Sequence, residues 1–133
     1  MAARNRLALV TYLARDYDEA IAWFRDALGF VLLEDSDQGG GKRWVRMAPS
    51  PGSETAFLIA RAVGAQVGAV GQSAGGRVAY FLHTDDFAAQ AAQMRAAGVT
   101  FEEDPRREPY GTVAVFCDLY GNRWDLIEPA GDR

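Results

Sequence analysis

The sequence is short of the residues that most often do covalent chemistry or grip metals. Its 133 residues hold one cysteine, Cys117, and one histidine, His83. A single thiol excludes an intramolecular disulfide. Positive charge is in deficit: 14 Lys and Arg stand against 18 Asp and Glu, a net charge of −4. That sign argues against nucleic acid and anionic membrane surfaces as partners. Long apolar runs are missing too. No window approaches a membrane span, and the N-terminal stretch is too short in apolar residues for a secretory signal, so a cytoplasmic protein is the default. Gly39–Gly41 sits in a hairpin loop and has none of the spacing of a phosphate-binding loop.

What remains is an ordinary globular composition, 49% hydrophobic and 24% charged. The length suits one compact domain, or two small halves sharing a core, without disulfide or metal staples. The organising feature is an internal repeat. Residues 77–101, RVAYFLHTDDFAAQAAQMRAAGVTF, read as strand, Asp-Asp turn, amphipathic helix and a Gly-marked exit. Residues 7–32 repeat that grammar: Asp16 aligns with Asp86, Tyr17 with Phe87, Phe24 with Met94 and Gly29 with Gly98. A repeated supersecondary unit decides the fold before any single residue does.

In the first half, residues 7–14 read as a strand. Asp16 reads as a helix N-cap with Glu19 three residues on, and Tyr17, Ile21, Phe24 and Leu28 share one helical face. Gly29 suits the left-handed position after a helix. Strands are expected over 30–34, 42–48 and 55–60, with a loop over 35–41. Residues 61–76 hold five glycines and read as a linker, or as a flap over a pocket. The second half predicts a strand over 78–84, then a helix over 86–97 with Phe87, Ala91, Met94 and Ala97 inward. A strand over 99–103, a charged loop over 104–111, and strands over 112–118 and 123–127 follow. Tyr120, Gly121 and Asn122 are expected to supply positive-φ residues in the last turn. The predicted class is α+β: module one over 5–61, a linker over 62–76, and module two over 77–129, each βαβββ.

RDYDEAIAWFRDALGF at 15–30, HTDDF at 83–87, AAGVTF at 96–101, PYG at 109–111 and DLYGNRWDLIEP at 118–129 together resemble the vicinal oxygen chelate superfamily. That superfamily contains glyoxalase I, bleomycin-resistance proteins and extradiol dioxygenases. The resemblance implies two modules forming a partly open barrel around a central cavity, and a homodimer. In metal-dependent members, inward side chains on the first and last strand of each module bind a divalent ion. Carried over residue by residue, those positions are Leu9, Phe57, Ala79 and Asp125. Leu, Phe and Ala cannot coordinate a cation, and one carboxylate does not hold Zn²⁺ or Fe²⁺ by itself. No metal and no cofactor is therefore expected.

The candidate ligand-binding residues are Leu9, Trp44, Phe57, Ala79, Phe81, His83, Tyr110 and Asp125. His83 reads either as a structural histidine at a strand end or as a ligand contact or general base. Asp125 reads either as salt-bridged to Arg77 or Arg123, or as a carboxyl of raised pKa facing a ligand. Tyr110 and Trp44 read as core packing or as cavity walls, with Gly111 allowing a planar ligand to approach Tyr110. Cys117 reads as a small buried hydrophobe rather than a nucleophile. Trp23, Phe24 and Trp124 read as core, with Trp23 a candidate dimer contact. The favoured expectation is metal-free binding or sequestration of a small, partly hydrophobic organic ligand. The alternatives are a lyase- or dioxygenase-type enzyme using Asp125 and His83 or a misaligned metal site, and a structural or regulatory dimer.

Overall fold

The computed structural model describes residues 2–131. The chain divides into two compact units, Met1–Val70 and Gly71–Arg133, each on the βαβββ plan. The division falls within the glycine-rich segment 62–76.

The first unit contains β1 (Leu9–Ala14), α1 (Tyr17–Leu28), β2 (Val31–Gly39), β3 (Lys42–Ala48) and β4 (Ala56–Arg61). Its sheet runs β1-β4-β3-β2, with β1 and β4 parallel and the other neighbours antiparallel. α1 begins where an acceptor is at hand: the Asp16 carboxylate accepts the backbone N–H of Glu19 at 2.8 Å, which satisfies an orphan donor of the first turn. It stops at Gly29, whose φ is 76°. There the N–H of Phe30 returns to the Phe24 carbonyl at 3.0 Å, the left-handed exit that glycine allows at no steric cost. Tyr17, Ile21, Phe24 and Leu28 are buried as their spacing predicts. The core under the helix is Tyr12, Phe24, Val45, Met47 and Ile59, all fully buried; each such side chain contributes roughly 1.5–3 kcal/mol.

Much of the loop expected over 35–41 is strand. β2 continues to Gly39, and Asp35 and Ser36 pair across to Val45 and Trp44. The cross-strand ion pair of Asp35 with Arg43, at 2.7 Å, explains polar residues in an edge ladder. Only Gly40 and Gly41 make the turn.

The second unit contains β5 (Val78–His83), α2 (Phe87–Ala96), β6 (Arg106–Glu108), β7 (Gly111–Cys117) and β8 (Arg123–Pro129), in the order β5-β8-β7-β6. Asp86 caps α2, accepting from the Ala89 N–H at 3.0 Å. Phe87, Ala91 and Met94 are buried, whereas Ala97 lies past the helix end and is exposed. The strand expected over 99–103 is corrected: only Phe101 bridges, to Phe116, and the paired strand is β6, inside the expected loop. The cause is local. The Glu103 carboxylate, not a backbone carbonyl, accepts the Val115 N–H at 3.0 Å, and Pro105 follows without an N–H to offer. The edge is thereby broken in two.

The last turn is also organised differently from the expectation. Only Gly121, at φ 94°, has positive φ there. Asp118 holds the turn instead, its carboxylate accepting from the N–H groups of Tyr120 and Asn122 and from the Trp124 indole, each at 3.0 Å. Within the glycine-rich segment, 64–69 form a 3-10 turn. Residues 71–76 are docked on the second unit: the Ser73 N–H donates to Asn122 at 3.0 Å, and a Cβ on Gly71 would collide with the Tyr120 carbonyl. That half of the segment is anchored, not a hanging flap. No helix among the described residues is long and apolar enough to cross a membrane.

Candidate functional site

Cross-strand partners share a sheet face, so the register assigns the faces. In the second unit, Glu128 accepts the N–H of Phe87 at the start of α2, at 2.8 Å. Alternation along β8 therefore turns Leu126 and Trp124 to the helix side as well. Arg123, Asp125 and Ile127 stand on the opposite, open face. Asp125 lies between Phe81 of β5 and Val115 of β7. The next row along is His83, Ile127, Val113 and Arg106.

Asp125 is the unusual member. It is 8% exposed, and its buried Oδ1 has no hydrogen-bond partner. Burial pushes its carboxyl pKa above the ordinary value, with nearby Arg106 pulling the other way. The two arginines whose charge reaches it are both engaged elsewhere. Arg106 is held by Glu108 at 2.6 Å and Glu103 at 3.2 Å. Arg123, an expected partner of Asp125, is bound to Glu102 at 2.9 Å and to the Gly76 carbonyl at 3.2 Å. The flanking Phe81 is 62% exposed. An acceptor without a donor thus sits beside an uncovered aromatic ring. A buried acceptor in that condition costs about 1–3 kcal/mol, and native structures retain such groups where something else requires them.

The other expected site residues distribute as follows. His83 is exposed at the end of β5, on the face of Phe81, with no hydrogen bond to Asp125 among the described residues. Ala79 lies in an irregularity of the β5–β8 ladder. Tyr110 is half exposed and lies 3.5 Å from Arg106 through its hydroxyl. At Gly111, φ is 149° and a Cβ would collide with the Glu128 carbonyl, so the β7–β8 ladder itself requires glycine there. Cys117 is partly buried and donates its S–H to Glu102 at 3.2 Å. Burial, with that hydrogen bond, pushes its pKa up to about 11, so it is a protonated thiol at neutral pH and a poor nucleophile.

In the first unit, Leu9 and Trp44 share a hollow of about 320 Å³ with Leu33 and Arg46. Phe57 does not join them. Its ring packs 5.3 Å from Tyr12 and 5.7 Å from Phe24, on the helix side, and this corrects its place in the candidate set. The open-face residue is Leu58. Thr11 precedes Asp16 by the interval that separates Phe81 from Asp86, and Thr11 pairs with Leu58 as Phe81 pairs with Asp125. The alignment of residues 54–60 with 122–128 is one residue out, because short apolar runs do not declare which side faces the helix. Leu58 is the residue that a shift of one position substitutes for Phe57; Arg46 and the Glu103–Arg106–Glu108 network have no signal in the sequence pattern and were missed.

The donor set does not fit a metal. Leu9, Leu58 and Ala79 carry no donor atom, and Asp125 is a single carboxylate. Among the described residues no group of three or more His, Cys, Asp or Glu could hold an ion.

The profile of the Glyoxalase/Bleomycin resistance protein/Dioxygenase superfamily matches residues 6–126. An uncharacterized protein of Shewanella frigidimarina (strain NCIMB 400) is 44% identical over 127 residues, which is 94% of each chain. Among solved structures, UcmS2 is similar at 30% identity and TM-score 0.78, covering 95% of this chain and 99% of that one. TnmS3, an antibiotic binding protein from Streptomyces sp. CB03234, is similar at 26% identity and TM-score 0.76, covering 98% and 100%.

Proposed function

Since the chain belongs to the Glyoxalase/Bleomycin resistance protein/Dioxygenase superfamily, we propose that it binds or sequesters a small, partly hydrophobic organic ligand without a metal. The observation that carries this reading is Asp125, whose buried Oδ1 lacks a donor beside an exposed Phe81. A ligand bearing an ammonium or hydroxyl group on an aromatic or alicyclic body would supply both the donor and the apolar cover. The net charge of −4 modestly favours cations. TnmS3, similar along its whole length, is an antibiotic binding protein, and an antibiotic of that general chemistry is the first ligand class to test. A homodimer, which the resemblance implies, is part of the proposal; sedimentation equilibrium returning only a 14.5 kDa species removes that part.

The test is isothermal titration against cationic and neutral aromatic compounds, antibiotics included, on wild type and Asp125→Leu. A binder that weakens roughly tenfold or more in the variant supports the reading, as loss of a charged hydrogen bond would. A binder indifferent to the variant, or no binder at all at millimolar concentration, overturns it. For a cationic ligand the affinity also rises as pH climbs through the raised pKa of Asp125, because only the ionised carboxylate attracts it.

A further inference from the structure

The two inner strands of the first sheet separate at one end. β3 and β4 pair only from Val45–Ile59 to Met47–Phe57. Beyond that, β2 holds β3 out to Lys42 and β1 holds β4 out to Arg61, and a wedge of about 430 Å³ opens between them. Parity decides which backbone groups turn into it. The N–H groups of Ala56 and Ala62 donate to the carbonyls of Ala8 and Ala14 at 2.9 Å and 2.8 Å. The even positions of β4 therefore face β1, and the odd ones, Arg61 included, face β3. Arg43 is the residue Arg61 would meet if the ladder went on. Its N–H donates instead to the Tyr17 hydroxyl at 3.2 Å, which stands in for the Arg61 carbonyl. The Arg43 carbonyl and the N–H and carbonyl of Arg61 are left turned toward the wedge, and main-chain groups in that position need partners.

On the helix side of the sheet the wedge is edged by side-chain donors. Arg61 follows Phe57 and Ile59 on that face, and its Nη2 lies 3.8 Å from where a Cβ on Gly41 would sit, across the wedge mouth. It has no ion pair among the described residues. Arg43, on the same face, is taken by Asp35 at 2.7 Å and Asp18 at 2.9 Å. Tyr17 is 7% exposed; its hydroxyl accepts from Arg43 and keeps its own hydrogen to donate. The Gln66 side-chain carbonyl accepts the Val63 N–H at 3.0 Å, which leaves its amide N–H groups free to donate. Val63, 56% exposed, supplies an apolar wall. Lys42, Trp44, Leu58 and Ala60 also border the wedge, but alternation turns their side chains to the open face, away from α1.

We propose that the helix side of this wedge binds an N-acylated α-amino acid with a short aliphatic side chain. The carboxylate would lie on the Arg61 guanidinium, with Tyr17 and Gln66 donating beside it. The amide N–H of the ligand would donate to an inward carbonyl of Arg43 or Arg61, and its acyl oxygen would accept the Arg61 N–H. Val63 would cover the side chain. Such a ligand answers both the side-chain donors and the interrupted ladder. The ladder resumes at Val45–Ile59, one pair further in, so there is room for one residue's main chain and not for an inserted strand. The site is independent of Asp125: it lies within residues 17–66, on the face of the first sheet that carries α1.

The experiment is a titration followed by backbone amide NMR shifts. The probes are N-acetylvaline, its uncharged primary amide, and isovalerate, which keeps the carboxylate and lacks the acylamino group. N-acetylvaline is expected to bind in the millimolar range, to shift the amides of Gly40, Arg61 and Val63, and to bind more tightly than either control. Arg61→Gln removes the cation. Gln66→Glu keeps an acceptor for the Val63 N–H and sets a like charge beside the carboxylate. Each weakens N-acetylvaline by roughly fivefold and leaves the primary amide nearly unchanged. Both changes are at exposed positions, and circular dichroism confirms the fold. Equal affinity for N-acetylvaline and either control, indifference to both variants, or no binding at millimolar probe overturns the proposal. So do shifts confined to the amides of Phe81 and Asp125, an outcome that leaves the ligand reading of Asp125 standing.

Discussion

Replacing Asp125 with Leu, which keeps the branching and exchanges two oxygens for two methyls, is expected to stabilise the protein while removing the ligand affinity proposed for it. The side chain is 8% exposed and its Oδ1 has no donor. Substituting an apolar group of the same shape recovers the cost of that unmet acceptor, about 1–3 kcal/mol. For a chain of this size each kcal/mol moves Tm by roughly 3–6 °C. The pH dependence has a definite sign. Burial raises the folded-state pKa of Asp125 above the ordinary value of an aspartate, so the folded state binds the proton more tightly. Its contribution to stability is complete below the unfolded pKa and is lost as pH rises through the raised folded pKa. The advantage of the Leu variant is therefore smallest near pH 3 and grows to a plateau at neutral pH. Urea denaturation at several pH values reads this directly. If Asp125→Leu lowers stability at pH 7 by more than about 1 kcal/mol, the carboxylate is satisfied and structural, and the argument from an unmet acceptor fails.

Other consequences follow from local geometry. Asp16→Ala removes the acceptor for the Glu19 N–H and is expected to cost about 1 kcal/mol in urea denaturation. A loss below the error of the measurement would show that water caps the helix equally well. Gly111→Ala places a Cβ against the Glu128 carbonyl at φ 149°; a loss of about 3 kcal/mol or more, or failure to fold, is expected, and a silent change would contradict the register of β7 with β8. Cys117, pushed up to about 11, should alkylate at pH 8 roughly a hundredfold more slowly than a free thiol. Glu102→Gln, which removes a nearby anion that disfavours the thiolate, should hasten the reaction.

The fold was legible because its decisions are local and made twice. Asp16 and Asp86 announce helix starts through the same side-chain chemistry, and Gly29 announces an exit. What failed was the assignment of faces and edges. The sequence does not separate Phe57 from Leu58 as the open-face residue, because a shift of one position between residues 54–60 and 122–128 keeps the apolar run aligned, and only the parallel ladder to β1 resolves the choice. Residues 99–103 looked like a strand by composition, but the carboxylate of Glu103 takes the N–H of Val115 and Pro105 interrupts the edge. Asp125 could be recognised as a carboxylate among apolar neighbours. Its isolation could not, because that depends on Arg123 and Arg106 being engaged by Glu102, Glu103 and Glu108.

The contrast between the two sheets bears on why Asp125 persists. On the open face of the first unit the position equivalent to Asp125 is Leu58, and the charge beside it is matched: Arg46 pairs with Glu34 at 2.9 Å, and Ser36 donates to the same carboxylate at 3.0 Å. The same fold, on the same strand, thus accepts a leucine with its polar neighbours satisfied. The acid in the second unit is therefore not demanded by the βαβββ plan. A group that the plan does not need, and that costs stability where it sits, is retained in native proteins chiefly where binding or chemistry uses it. On that ground the carboxylate whose Oδ1 lacks a donor beside Phe81, rather than the charge-matched surface around Arg46, is the place we propose for a ligand.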